Sequence, residues 1–388
     1  ARRLFAANSP AIGKKSNAAD RPDVARPPAA GGYAGRPYGL DSRWTPRQNH
    51  AMTIFSSSRL CARFGLSTPI VLAPMALASG GALASACARA GALGLVGGGY
   101  GDLAWTQREY TLALQASHTN RIGCGFITWK LDEDASALDW VLDHAPEHRP
   151  RAVMLSFGDA RRYAARIAAS GAALICQIQR MEQAPQALEA GATAIVAQGA
   201  EAGGHGMNAL NGRATMTFVP ELADWLAAHS PDTLLLAAGG IADGRTLAAA
   251  MVLGADGALV GSRLWATAES LAPQGAKELA LRTDGDGTAR SEVFDILRRK
   301  NWPAPYDFRA IRNPLHRAWE ERIEELRSDP AAAREVYDAG VLAGDYTSAH
   351  ATAGEAVGLV HDCAGAADVV RAMGEGALAA LGNPRLQH

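Results

Sequence analysis

The 388-residue sequence predicts an α/β fold, a (β/α)8 TIM barrel with an additional C-terminal helical region. Three observations carry this expectation. From residue 69 onward a unit repeats: a short β-branched or leucine-rich run, a loop of small residues, an alanine-rich helix, then Gly-Ala. The Gly-Ala pairs stand at Gly91-Ala92, Gly171-Ala172, Gly191-Ala192 and Gly254-Ala255, where a helix C-terminus uses glycine to enter the left-handed region. The runs are continuously apolar, as strands covered by helices on both faces are.

Taken in order, strands are expected to begin near Pro69 (PIVLA), Leu93 (LGLVG), Arg121 (RIGCGFI), Arg151 (RAVMLS), Ala173 (ALICQI), Thr193 (TAIVAQ), Thr233 (TLLLAA) and Gly257 (GALVG). Most intervals suit one strand, one helix and two short loops. The interval between the sixth and seventh runs is much longer. Eight units favour a closed barrel over an open doubly wound sheet. The open sheet would call for Gly-x-Gly-x-x-Gly after the first strand, and Pro74-Met75-Ala76 follows instead.

Three domains are expected: 1–51, 52–284 and 285–388. Residues 1–51 carry Arg2, Arg3, Lys14, Lys15, Arg21, Arg26, Arg36, Arg43 and Arg47 against Asp20, Asp23 and Asp41, without apolar periodicity. Such a segment buries too little to offset its ordering entropy and is expected to be a disordered basic extension. It reads either as an extension upstream of Met52 or as a transit peptide. Residues 285–388 read as a helical cap, with helices at 315–328, 331–339 and 366–381, and with Asp329-Pro330 as N-cap and first helical residue. Trp302, Pro303, Pro305 and Tyr306 read as a loop.

The net charge of −1 gives no global attraction to nucleic acid or an anionic membrane. No apolar run approaches the roughly 20 residues of a spanning helix. The five cysteines (Cys61, Cys87, Cys124, Cys176, Cys363) are scattered and lack metal-ligand spacing, which suits a reduced, cytoplasmic protein. Neither a metal cluster nor a Ser-His-Asp constellation is readable.

In a barrel of this class the chemistry sits at the C-terminal ends of the strands. Those ends read Ala73-Pro74-Met75, Gly97-Gly98-Gly99-Tyr100, Gly125 to Trp129, Ser156-Phe157-Gly158, Gln177, Gln198 to His205, Gly239-Gly240, and Leu259-Val260-Gly261-Ser262-Arg263. Glycines let a backbone approach a flat ligand closely. The ends after the seventh and eighth runs, Gly239-Gly240 and Val260-Gly261-Ser262, have the composition of a phosphate site. Arg263 either adds charge there or pairs with a carboxylate. Asp243 reads as a helix N-cap. On the longest loop, Gly203-Gly204-His205 presents a base that titrates near neutral pH. Glu201 reads as an ion-pairing residue that fixes this loop, and Tyr100 and Trp129 either wall a pocket or pack in the core.

Four segments, Pro69–Met75, Ala197–His205, Ala238–Gly244 and Leu253–Arg263, resemble in order and spacing those of the nitronate monooxygenases, formerly 2-nitropropane dioxygenases. The resemblance covers about residues 60–280. It implies an FMN enzyme that oxidises alkyl nitronates or nitroalkanes with O2 to a carbonyl compound and nitrite. It places the base or substrate-positioning residue at His205. FMN contacts fall on Met75, Gln198, Gly203, Gly240 and Leu259 to Ser262, and the neighbouring Ala73, Pro74, Gly125, Gln177, Gly204 and Gly239 are expected to join them. The chain departs from the family pattern at Gly125, where asparagine is common, and at Ser156-Phe157-Gly158, where many members carry a histidine. It departs again after His205, where Gly206-Met207 replaces an arginine. A second reading is an NAD(P)H-dependent flavin reductase acting on quinones or enoyl thioesters, and a third is a flavin-binding protein without activity.

Overall fold

The computed structural model describes residues 55, 58–144 and 148–382. The basic segment 1–51, with the disorder expected for it, lies outside the described residues. Eight parallel strands form the barrel: β1 (Ile70–Leu72), β2 (Gly94–Gly99), β3 (Ile122–Ile127), β4 (Ala152–Ser156), β5 (Ala173–Ile178), β6 (Ala194–Gln198), β8 (Leu234–Ala238) and β9 (Gly257–Val260). The missing number belongs to β7 (Gly204–Met207), which lies outside the barrel. The order is β1-β9-β8-β6-β5-β4-β3-β2, and a bridge between Val71 and Leu93 closes the circle. There Leu72 N–H donates to the Leu93 carbonyl at 2.9 Å, and Leu93 N–H to the Ile70 carbonyl at 3.0 Å. All eight predicted strands are present, each within a residue of its expected start.

Local chemistry sets these elements. Asp102 caps the helix Leu103–Ser117 by accepting from Trp105 N–H at 2.9 Å. Asp243 caps the helix Gly244–Val252 by accepting from Thr246 N–H at 2.9 Å, as its position after the seventh barrel strand predicted. Small residues set how closely the layers approach. A Cβ on Gly94 would lie 2.1 Å from the Ala84 carbonyl oxygen of the helix Gly81–Arg89, so this glycine fixes the helix-to-strand distance. Cys61, Cys87, Cys124 and Cys176 are buried thiols, packed as small apolar residues.

The C-terminal region is not wholly helical, which amends the expectation. It contributes β10 (Thr288–Ser291) and β11 (Tyr306–Ile311), which with β7 form a three-stranded antiparallel sheet in the order β10-β11-β7. Trp302 lies in a loop, but Tyr306 opens β11. Tyr306-Asp307-Phe308-Arg309-Ala310 alternates apolar and charged residues as a strand does, a signal the prolines at 303 and 305 obscured. The helices Pro314–Trp319, Ile323–Ser328 and Ala331–Ala343 follow. Pro330 occupies the cap position of the last of these rather than its first turn. The final helix, Ala366–Leu381, is part of the barrel's outer ring: Val369, Val370, Met373 and Ala377 enter the barrel core. A Cβ on Gly244 would lie 2.3 Å from the Gly376 backbone, so two glycines allow these helices to touch.

Because the atom facing Gly94 is backbone, it cannot swing aside. Gly94→Ala is therefore expected to lower stability by about 3 kcal/mol or more, measured by urea unfolding; an unchanged midpoint would contradict this packing.

Candidate active site

The site begins where β6 ends. Gln198, its last residue, accepts on Oε1 from Gln177 Nε2 and Gln179 Nε2, both at 2.8 Å, and donates from Nε2 to the His205 carbonyl at 3.0 Å. Three glutamines thereby tie the barrel rim to the start of β7. Between them runs the glycine-rich loop 199–203. Glu201 holds this loop, by hydrogen bonds rather than the ion pair expected: its carboxylate accepts from Thr215 N–H at 3.0 Å and Thr215 Oγ1 at 2.9 Å. The cations come from the second sheet. Arg290 donates to the Ala202 carbonyl at 2.9 Å and pairs with Asp307 at 3.0 Å, and Arg309 donates to the Ala200 carbonyl at 3.1 Å. Burial pushes the Asp307 carboxyl up to about 6, against the pull of Arg290.

β7 pairs with β11 so that His205 stands opposite Phe308. The His205 ring is nearly buried, with 8% of its side-chain surface exposed. Its Nε2 lies 3.0 and 2.9 Å from the two carboxylate oxygens of Asp295, on the helix Val293–Leu297. Trp302 stacks on the ring with centroids 3.5 Å apart and planes 11° from parallel. Burial lowers the His205 pKa to about 4, while Asp295 opposes that fall and Arg298 and Arg290 add to it. Burial wins, so the ring is neutral at pH 7. A neutral ring bonded to a carboxylate must donate through Nε2–H, leaving Nδ1 with the free lone pair.

His205 lines a cavity of about 1010 Å³ at the C-terminal ends of the barrel strands. Ala73, Pro74, Met75, Gly125, Gln177, Gln198, Gly203, Gly204, Gly239, Gly240, Leu259, Gly261 and Ser262 line it too. Val260 does not: it is fully buried in β9 and faces the barrel core. At the expected phosphate end, a Cβ on Gly240 would meet nothing nearer than 4.0 Å, and one on Gly261 nothing nearer than 3.8 Å. The missing side chains leave open space there, the form of a cradle for a ligand. Gly240 also has φ 75°, which favours glycine. The Ser262 hydroxyl accepts from Gly354 N–H at 2.8 Å and keeps its own proton to donate. Gly203 is glycine for another reason: its Cβ would lie 2.5 Å from the Gly354 nitrogen. At Gly125 a Cβ would lie 2.3 Å from Pro74 Cγ, so no larger residue fits beside that proline.

Arg263 pairs with Asp362 at 2.6 Å and takes no part in the cradle. Tyr100 walls the cavity and accepts at its hydroxyl from Trp302 Nε1 at 3.0 Å. Trp129 packs edge-on behind Trp302 with centroids 5.5 Å apart. Four groups that sequence reasoning missed complete the site: Arg298, Trp302 and His350 line the cavity, and Asp295 stands behind His205. Asp295 and Trp302 hold His205. Arg298 lies 4.7 Å over the Phe308 ring, and its Nη1 has no hydrogen-bond partner; Asp295 Oδ1, at 3.8 Å, is at ion-pair distance only. His350, held at about 3 by burial and by Arg298, shares a 2.6 Å hydrogen bond with Tyr337. All four come from the region read as a cap, about 90 or more residues beyond His205, and carry no motif. A weak signal lay in the Asp-x-x-Arg spacing that sets Asp295 in a helix and Arg298 at its C-cap. Among the described residues no group of three or more His, Cys, Asp or Glu is placed to hold a metal ion.

A glycine-lined cavity at the rim of an eight-stranded barrel, holding a neutral histidine, defines the class: an α/β-barrel enzyme acting on a small molecule. Residues 132–376 match the nitronate monooxygenase family. The nitronate monooxygenase of Neurospora crassa is 32% identical over 345 residues, covering 79% of this chain and 88% of that protein. A second, npaC of Metarhizium robertsii, is 32% identical over 333 residues, 78% and 89% of the two chains. The chain belongs to the nitronate monooxygenase family, whose members are oxidoreductases. Among solved structures, FabK of Thermotoga maritima superimposes with TM-score 0.70 at 23% identity, covering 85% of this chain and 99% of that one. The nitroalkane oxidase of Streptomyces ansochromogenes gives 0.68 at 24%, covering 83% and 99%. Both likenesses bear on the fold, and both show the barrel.

The Arg290–Asp307 pair supplies a test of how the loop is held. Arg290→Met strands a buried carboxylate and is expected to cost about 3–5 kcal/mol of stability. Adding Asp307→Leu should restore much of that loss. A double variant no more stable than Arg290→Met would show that the pair does not act as a unit.

Proposed function

We propose that the cavity binds FMN and that the enzyme oxidises alkyl nitronates, and nitroalkanes after deprotonation, with O2 to a carbonyl compound and nitrite. The observation that carries this reading is His205, a neutral base bonded to Asp295 and facing a cavity that Gly203, Gly204, Gly239, Gly240 and Gly261 also line. Gly240, Gly261 and Ser262 would hold the phosphate. Ala73, Pro74, Met75, Gly125, Gln177 and Gln198 would line the ring, with Gly203, Gly204, Gly239 and Leu259 beside them. When bound, FMN supplies the electron transfer between organic substrate and O2.

The protein's own part is acid–base and electrostatic. His205 Nδ1 takes the α-proton of a neutral nitroalkane, leaving the nitronate anion. The imidazolium so formed keeps its Nε2–H on Asp295, whose negative charge stabilises it. Arg298, a cation on the cavity wall, draws the anion by its charge. Trp302, stacked on the ring and hydrogen-bonded to Tyr100, fixes the imidazole plane and keeps water off it.

Three measurements test the reading. In anaerobic mixing, a nitronate should bleach the flavin, whereas prompt bleaching by NAD(P)H alone would favour the reductase reading. His205→Ala should keep the yellow spectrum and slow turnover of neutral nitroethane by about 100-fold or more; unchanged turnover would remove His205 from the chemistry. The depressed pKa fixes the sign of the pH dependence. A base that protonates near 4, not 6.5, should give a nitroalkane rate that holds from pH 7 to 5 and falls below about 4.

A further inference from the structure

The cavity extends beyond His205. Its outer part is walled by Leu77, Leu271, Val341 and Leu342, which are 63%, 47%, 51% and 91% exposed. Nine large hydrophobic side chains are exposed among the described residues, and four of them border this one cavity. Single exposed leucines are ordinary, but a cluster of them at a cavity marks a surface that a ligand covers. The backbone points the same way. Leu77 has φ 60°, a left-handed conformation that a leucine adopts at a cost, and it carries that side chain at the rim. Val341 and Leu342 lie on one helix, Ala331–Ala343, a turn beyond Tyr337 and Asp338, which line the cavity with them.

The inner part has the opposite character. Arg298 and Lys300 both line it, Arg298 4.7 Å over the Phe308 ring and Lys300 4.0 Å over the Tyr100 ring. Asp338, beside the apolar rim, is neutralised by Arg299 at 2.7 Å, so cations near His205 and a largely apolar rim match an amphipathic anion, with its charge inward and its chain outward. We propose that the outer lobe is a subsite for the alkyl chain of the substrate, so that the enzyme selects nitronates with a chain of several carbons over the shortest ones. This rests on the nitronate reading above. Burying a methylene fully favours binding by about fourfold, and a half-open wall should yield about twofold per methylene.

The test uses the purified, flavin-loaded enzyme and two homologous series. Butanoate, hexanoate and octanoate share the planar two-oxygen anion of a nitronate but cannot react. Their dissociation constants, read by quenching of tryptophan fluorescence, should fall about twofold per added methylene. The kcat/KM values for nitronates from nitropropane to nitrooctane should rise with a similar slope. Leu342→Asp, at a site too exposed to disturb folding, should flatten both slopes. A flat carboxylate slope in the unaltered enzyme overturns the subsite, as does a Leu342→Asp enzyme with an undiminished slope. If the carboxylates show the slope while no nitronate of any length bleaches the flavin, the subsite stands and the nitronate reading fails. Sedimentation completes the set. A concentration-dependent dimer that Leu342→Asp abolishes, together with flat slopes, would assign the apolar rim to a second copy of the chain and overturn the proposal.

Discussion

The antiparallel pairing of β7 with β11 is the contact on which the site depends. Barrel strands alone would leave His205 on a glycine loop with no fixed direction. The pairing sets His205 opposite Phe308 and brings residues from the C-terminal region, Asp295 and Trp302, onto its two remaining sides. The same small sheet sends Arg290 and Arg309 back to the carbonyls of the preceding loop. One strand pairing thus fixes both the base and the backbone that runs beside it. The second sheet is part of the candidate site, since the barrel without it would lack the groups that hold His205.

The electrostatics follow from that enclosure. A carboxylate 2.9 Å from an imidazole ordinarily favours the charged ring. Here burial and two neighbouring guanidinium groups outweigh it, so the histidine stays neutral. The resting ring therefore keeps the free lone pair that a base needs, and the carboxylate limits how far burial lowers its basicity. Arg298 works against the carboxylate, disfavouring a charged ring at both His205 and His350. The cavity therefore repels a second cation and receives an anion.

The barrel was legible because its signals are local and repeated. Apolar runs, Gly-Ala helix ends and glycine-rich strand ends place all eight strands and most of the cavity floor, from Ala73 to Ser262. Val260 alone of the expected contacts does not line the cavity, because alternation along a strand sends adjacent side chains to opposite faces and those of Leu259 and Val260 diverge. The partners of His205 were barely legible, because only the Asp-x-x-Arg spacing of Asp295 and Arg298 marks them in the chain and nothing marks Trp302. Their role exists only through pairing across about 90–100 residues. Glycine, too, misleads when read for one purpose. Gly203 and Gly125 are small because backbone or proline presses on them, whereas Gly240 and Gly261 are small where open space is left.

The central claim is that His205 is a neutral base protonated on Nε2 and open at Nδ1. Nitrogen NMR of the enzyme with ¹⁵N-labelled histidine, with the His205 signals assigned by their loss in His205→Gln, tests it most directly. At pH 7 the account predicts one protonated nitrogen, Nε2, and one bare nitrogen, Nδ1. A doubly protonated ring, or a proton on Nδ1 with Nε2 bare, would contradict it.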